Sequence, residues 1–265
     1  MQQLQPTLFL PHGGGPCFFM DWDPPETWEK MRAFLAAVIG NLAQRPRQIL
    51  LITAHWEAER ITLSNNPNPE LLFDYNNFPP HTYELRWPAP GAPDLARRAA
   101  DLLADAGIST AFDATRGYDH GVFVPMKVAL PDADIPVAMM SLRADLDPRH
   151  HLDAGSALAP LRAEGVLIIG SGMSSHNLRA FVTGHDNADA DLFDAWLQAV
   201  VTGDPLLRDA ALTGWAAAPG ARAAHPREDH LLPLMVAAGA AGENDGICVY
   251  AETLMGARQS AFRFG

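Results

Sequence analysis

Cysteine is scarce in this chain, with only Cys17 and Cys248 in 265 residues. Such sparse use excludes a disulfide framework and fits a reducing cytoplasm with two free thiols. Positive charge is scarce as well. Nineteen Lys plus Arg face 31 Asp plus Glu, a net charge of −12, which repels phosphate backbones and anionic lipid. Neither nucleic acid nor a membrane surface is an expected partner. Long apolar runs are also missing, since the uncharged stretch Leu231 to Gly242 falls well short of the ~20 residues a bilayer span needs. No basic residue precedes Lys30, so neither a transmembrane helix nor a secretory signal is expected.

Several catalytic signatures are absent too. There is no C-x-x-C pair, no P-loop, no H-E-x-x-H and no G-x-S-x-G elbow, so the esterase-like turn His12-Gly13-Gly14-Gly15 has no nucleophile to serve. Gly170-Ser171-Gly172 hints at a dinucleotide loop, but Ser175 stands where the third glycine belongs.

What is present reads as a soluble globular protein: 48% hydrophobic residues, 19% charged and a mean hydropathy of −0.04. No repeat or low-complexity linker marks a boundary, so one domain over residues 1–265 is expected. Thr7 to Leu10, Gln48 to Ala54, Val137 to Leu142 and Val166 to Ile169 are aliphatic runs without alternation, the pattern of strands covered on both faces. Helical patterns lie between and after them, at Glu26 to Leu42, Asp94 to Ala106, Pro148 to Ala163 and Asp189 to Val201. The expected fold is α/β, a single domain with a central mixed, mostly parallel sheet flanked by helices. Asn65 to Pro93 carries seven prolines among aromatics and predicts a long ordered loop over the sheet edge, of the kind that forms lids or binding loops.

The ten histidines carry the chemistry. His12, His55 and His176 each follow an apolar run closely, which places them beyond the carboxyl ends of strands, where open α/β sheets bind ligands. One such histidine is most simply a hydrogen-bonded structural residue; three together point to a site. In His225-Pro226-Arg227-Glu228-Asp229-His230, Pro226 and the two acids predict a helix starting there. His230 on that rigid element is then the better ligand of the two histidines. His120 lies in the turn Gly117-Tyr118-Asp119-His120-Gly121. Clustered neutral imidazoles suit Zn, Fe, Cu or Ni, and three protein ligands with open positions make a site catalytic. Further histidines then serve as acid or base near neutral pH.

Five segments, in order, resemble the motifs of the class III extradiol ring-cleaving dioxygenases. They are Pro11-His12-Gly13-Gly14, Thr53-Ala54-His55-Trp56, Tyr118-Asp119-His120-Gly121, Gly170-Ser171-Gly172-Met173-Ser174-Ser175-His176-Asn177, and the segment from His225 to His230. The resemblance is closest to the DOPA-dioxygenase branch of plants and bacteria and covers nearly the whole chain. It implies a divalent metal, one per chain, held by His12, His55 and His230. It makes His176 the acid or base beside the metal, and it sets His120 and His225 along the substrate pocket, with His120 also able to stabilise charge on a substrate oxygen. Protocatechuate-type relatives use a glutamate where this sequence has His230. Three histidines hold Zn comfortably, whereas O₂ activation calls for Fe(II). The implied reaction is cleavage of a catechol by O₂ to a muconic semialdehyde, in aromatic-compound breakdown.

Two other readings fit the same residues: a Zn hydrolase using metal-activated water, and a non-catalytic binding protein with a vestigial site. The proline-rich loop offers aromatic walls and one cation through Tyr75, Phe78, His81, Tyr83, Arg86 and Trp87. Arg86 and Arg227 read first as solvated surface arginines and second as partners for a substrate carboxylate.

Overall fold

A computed structural model of the chain describes residues 4–179 and 188–265. The aliphatic runs form the strands they predict. β1 (Thr7–Pro11), β2 (Gln48–Ala58), β5 (Val137–Arg143) and β6 (Val166–Gly172) make the centre of an eight-stranded sheet. β3 (Ile61–Ser64), β4 (Thr110–Asp113), β7 (Gly246–Leu254) and β8 (Ala257–Phe264) complete it in the order β4-β3-β5-β2-β6-β1-β8-β7. β2 runs parallel to both β5 and β6, β6 to β1, and β3 to β4, while β3–β5, β1–β8 and β7–β8 are antiparallel. The fold is therefore α/β with a mixed, mostly parallel sheet.

Absence of alternation has the predicted cause. In β2, Ile49 and Leu51 enter one apolar layer and Leu50 and Ile52 the other; in β1, Leu8 and Leu10 oppose Phe9. Helices α1 (Glu29–Val38) and α3 (His120–Ala129) supply residues to the first layer. α2 (Pro93–Asp105), α4 (Pro148–Leu158), α5 (Ala188–Val201), α6 (Pro205–Thr213), the short α7 (Ala221–Ala224) and α8 (Leu232–Ala241) supply the second. Every residue of α8 is buried, as expected for a helix that is apolar all round. Asp147 and Asp204 cap α4 and α6 through the main-chain N–H groups of Arg149 and Leu206. Among the described residues no helix is long and apolar enough to cross a membrane. Cys17 and Cys248 are free.

Two expectations need correction. α8 begins at Leu232, with Pro233 in its first turn, and not at Pro226. Glu228 and Asp229 are engaged instead with the side chains of Arg222 and Arg227, which leaves residues 226–231 as turns ahead of the helix. β2 does not stop at Ala54. It continues to Ala58 through a break in its pairing with β5 between Ile52 and Glu57, so His55 sits inside an irregular strand segment and not beyond its end.

Candidate metal centre

β2, β6 and β1 are neighbours in the sheet, so whatever follows their carboxyl ends must meet. His12 directly follows β1, and its main-chain N–H donates to the Gly172 carbonyl at 3.1 Å. Its Nδ1–H donates to the Gly13 carbonyl at 2.8 Å, which commits that nitrogen and leaves Nε2 as the free acceptor. His55 is held where the ladder breaks, and side chains satisfy its backbone in place of a neighbouring strand. The Thr53 hydroxyl accepts from His55 N–H at 3.2 Å and donates to Asp119 at 2.8 Å. Arg116 donates to the His55 carbonyl at 3.1 Å and to Asp119 at 3.0 Å, with its guanidinium 4.6 Å from the Trp56 ring centroid.

His230 lies in the last turn before α8, and its carbonyl accepts from Met173 N–H at 3.0 Å. That approach explains Gly172. A Cβ there would stand 2.2 Å from the His230 carbonyl oxygen, so Gly170-Ser171-Gly172 belongs to a strand that a turn must touch and not to a nucleotide loop. His176 follows β6 and stacks on His230, ring centroids 3.4 Å apart and 10° from coplanar. His120 opens α3 with its ring 3.9 Å from that of His55 and 5.5 Å from that of His12.

Five imidazoles thus converge. His12, His55 and His230 are mutually 4.9 to 5.2 Å apart, centroid to centroid. The Nε2 atoms of these three are buried without a hydrogen-bond partner, which in a folded interior calls for an occupant. Single donor atoms of His12, His55 and His120 also fall within 4.8 Å of one another, as do those of His176, Asp229 and His230. His120 differs in two respects: its Nδ1 is engaged by a carboxylate, Asp74 at 2.8 Å, and its Nε2 is not among the buried, unpartnered atoms.

The chain matches, over residues 6–260, the family described as the catalytic LigB subunit of aromatic ring-opening dioxygenase. It belongs to the LigB family. Among its relatives are dioxygenase tasH of Hapsidospora irregularis, 40% identical over 96% of this chain and 83% of that protein, and the 4,5-DOPA dioxygenase extradiol of Beta vulgaris, 38% identical over 91% and 88%. The crystal structure of an uncharacterized protein from Escherichia coli K12 superposes with a TM-score of 0.78 at 26% identity, covering 98% of this chain and 100% of that one. The chain is accordingly an extradiol-type aromatic-ring-cleaving dioxygenase, and metal dependence comes with the family.

In this LigB enzyme the electrostatics suit a cation. Burial is the main cause that lowers the pKa of His12, His230 and His55, followed by neighbouring imidazoles; His55 falls to about 3. His176 is lowered by burial too. Neutral imidazole is the ligating form. Burial acts to raise Asp74, yet the hydrogen bonds and charge of His120 outweigh it and bring that carboxyl below its ordinary value. Asp74 is the neighbour of the histidine cluster that the sequence did not reveal. Its only sequence signal was its place in the proline-rich loop, and Tyr75 beside it lies 5.9 Å from His120, ring to ring.

His225 is fully buried against Phe193 and Trp215, its Nε2 2.9 Å from the Ser174 carbonyl, so it braces the segment leading to His176. Arg86 is exposed; Arg227 pairs with Glu57 at 2.5 and 2.7 Å. Trp87 is buried and donates to the Leu130 carbonyl, so it forms core and not a pocket wall. A cavity of about 640 Å³ lined by Arg60, Arg143 and His150 has none of the five converging histidines in its lining.

Two outcomes follow from this packing. Gly172→Ala should cost about 1–3 kcal/mol and lower metal content, because the clash is with backbone. Gly14→Ala, whose Cβ would meet nothing closer than Trp28 at 3.7 Å, should keep wild-type stability. Urea midpoints and metal analysis test both, and equal midpoints would remove the close-approach account.

The second outcome concerns pH. Burial holds His225 at about 4 as well, while the unfolded chain takes up histidine protons near 6.5. These groups are neutral in both states above about pH 6.5, so their full stability is present there. As pH falls towards the folded values, the unfolded state binds more protons and stability is lost. The metal-free protein should therefore have a lower unfolding free energy at pH 5 than at pH 7.5, by roughly 1–2 kcal/mol for each strongly lowered histidine, seen as a fall in its urea midpoint. A midpoint that does not move would mean that the rings protonate in place.

Proposed function

We propose that the whole chain, residues 1–265, is one catalytic domain that opens a substituted catechol, of the DOPA or caffeate kind, with O₂ to give a muconic semialdehyde. The observation that carries the site assignment is the trio of buried, unpartnered Nε2 atoms on His12, His55 and His230. These residues would hold one divalent metal, and the all-nitrogen donor set accepts Fe(II) as the working ion and Zn as a competitor. Fe(II) at that position supplies the redox chemistry by which electrons pass from the diol to O₂.

The remaining residues do the proton and orientation work. His176, stacked on His230 and only partly buried, takes the proton from a catechol hydroxyl oxygen and returns it as the ring opens. A group with both duties works near its own pKa. His120 stabilises charge developing on a substrate oxygen. Tyr75, Phe78 and Phe73 form an aromatic wall next to His120; Tyr75 and Phe78 rings lie 5.3 Å apart. His225, set along the substrate pocket by the resemblance, is fully buried, so its part is to support the segment before His176 through the Ser174 carbonyl and not to touch substrate. Two free thiols and an acidic surface fit a cytoplasmic enzyme.

The test is anaerobic loading with Fe(II), then oxygen uptake with a panel of catechols. One O₂ per ring and a yellow semialdehyde chromophore are expected. Ester or amide hydrolysis by the Zn form, with no catechol consumed, would establish the hydrolase reading instead.

A further inference from the structure

We propose that Asp74, carried by the proline-rich loop, is a positioning residue that fixes the His120 ring and so selects which of its nitrogens meets the substrate. The proposal deepens the ring-cleavage reading and rests on it for the role of His120. One oxygen of Asp74, Oδ1, accepts from both the main-chain N–H of His120 at 2.9 Å and its Nδ1–H at 2.8 Å. Two bonds from one residue to one acceptor remove the rotational freedom of that ring. They also commit Nδ1–H, so Nε2 is the nitrogen left to face a ligand, and it can donate to a charged substrate oxygen once it has taken up a proton from the bound diol, with the Asp74 carboxylate balancing the ring's charge. The other oxygen, Oδ2, stands 3.7 Å from Nδ1 of His55, so a single carboxylate faces both a proposed ligand and the proposed charge-stabilising group.

The loop is built to deliver this side chain. Tyr118 N–H donates to Glu70 at 2.8 Å, Leu72 N–H to Tyr118 at 2.7 Å, and Asp74 N–H back to Leu72 at 3.0 Å. These bonds register the loop against the segment that ends two residues before His120. Tyr75 then anchors the far side through its hydroxyl, which donates to the Thr82 carbonyl at 2.7 Å. A carboxylate that fixes the tautomer and direction of a metal-ligating imidazole is a recurring support whose loss typically lowers metal affinity or activity by about 10–100-fold, and a loss of the same order is expected for the support of His120.

The competing account is that Asp74 merely caps the start of α3. A double-mutant cycle on the Fe(II)-loaded enzyme separates the two, because residues acting through one another are not additive. Asp74→Ala should lower kcat on caffeate by about 10- to 100-fold at unchanged metal content, with Asp74→Asn between it and wild type. In a His120→Gln background, Asp74→Ala should lower kcat no further. An independent readout uses Zn-loaded protein labelled with ¹⁵N-histidine, where the His120 signals, assigned by their absence in His120→Gln, report which nitrogen carries the proton. Wild type should show Nδ1–H, and Asp74→Ala should lose that state.

A further full loss of kcat in the His120→Gln background, or an unaltered His120 spectrum in Asp74→Ala, would overturn the proposal. Metal loss in Asp74→Asn would also overturn it, making Asp74 a support for His55. Absence of oxygen uptake by wild type with every catechol would strike the ring-cleavage reading alone, since the spectrum still decides the ring's orientation.

Discussion

Alanine in place of His12, His55 or His230 is expected to leave folded protein whose metal affinity has fallen by more than about 100-fold, beyond the loss that follows from removing an outer support. His120→Ala is expected to retain its metal. The contrast matters because His12, His55 and His120 also bring single donor atoms within 4.8 Å of one another, so proximity allows either trio. Burial of the remaining nitrogen separates them. His12 and His120 both have Nδ1 engaged, by the Gly13 carbonyl and by Asp74, but the Nε2 atoms of His12, His55 and His230 are buried with no hydrogen-bond partner and that of His120 is not among such atoms. Metal analysis after dialysis, with circular dichroism to confirm folding, gives the result directly. Full occupancy in His230→Ala together with loss in His120→Ala would exchange the two residues' roles.

His176→Gln should behave in the opposite way, keeping metal and catechol binding while turnover falls by ~10² to 10⁴, the range for losing one acid or base. The geometry supports this separation of roles. His176 hangs from its own main-chain N–H, which donates to the Ala224 carbonyl at 2.8 Å, and its ring lies flat on His230. It is also one of the less buried members of the cluster, so substrate can reach it. The pH profile of kcat should lose the limb set by a histidine. Metal loss in His176→Gln would make it a fourth ligand and pass the base to His120. Unchanged turnover would deny it both roles.

Much of this was legible in the residues. The four central strands declared themselves because both of their faces are covered, which demands an unbroken aliphatic run. His12, His55 and His176 declared themselves because each follows, or lies within, such a run, and His120 and His230 because each stands just ahead of an apolar stretch. The outer strands did not. β7 and β8 each mix charged or polar with apolar residues, and they pair through a turn at Met255 and Gly256 with φ of 49° and 79°, a hairpin of the kind whose signal is usually Asn-Gly. The start of α8 was ambiguous by the same logic that predicted it. Pro226 and Pro233 are both acceptable first-turn residues, and contact of Arg222 and Arg227 with the two acids settles the choice.

The sequence by itself determined the α/β class, the central strands and the set of histidines, because burial on both faces and metal-binding chemistry are properties of residue types in order. Only the tertiary structure decided how the set divides. Asp74 lies 46 residues from His120 in the chain, and no local pattern relates them until the loop pairs with Tyr118. Nor does any spacing reveal that Gly13 occupies one nitrogen of His12, or that Arg116 and Thr53 hold the backbone of His55. Which nitrogen is free depends on its hydrogen-bond partner, and here the deciding partner of His120 is brought in by a distant part of the chain.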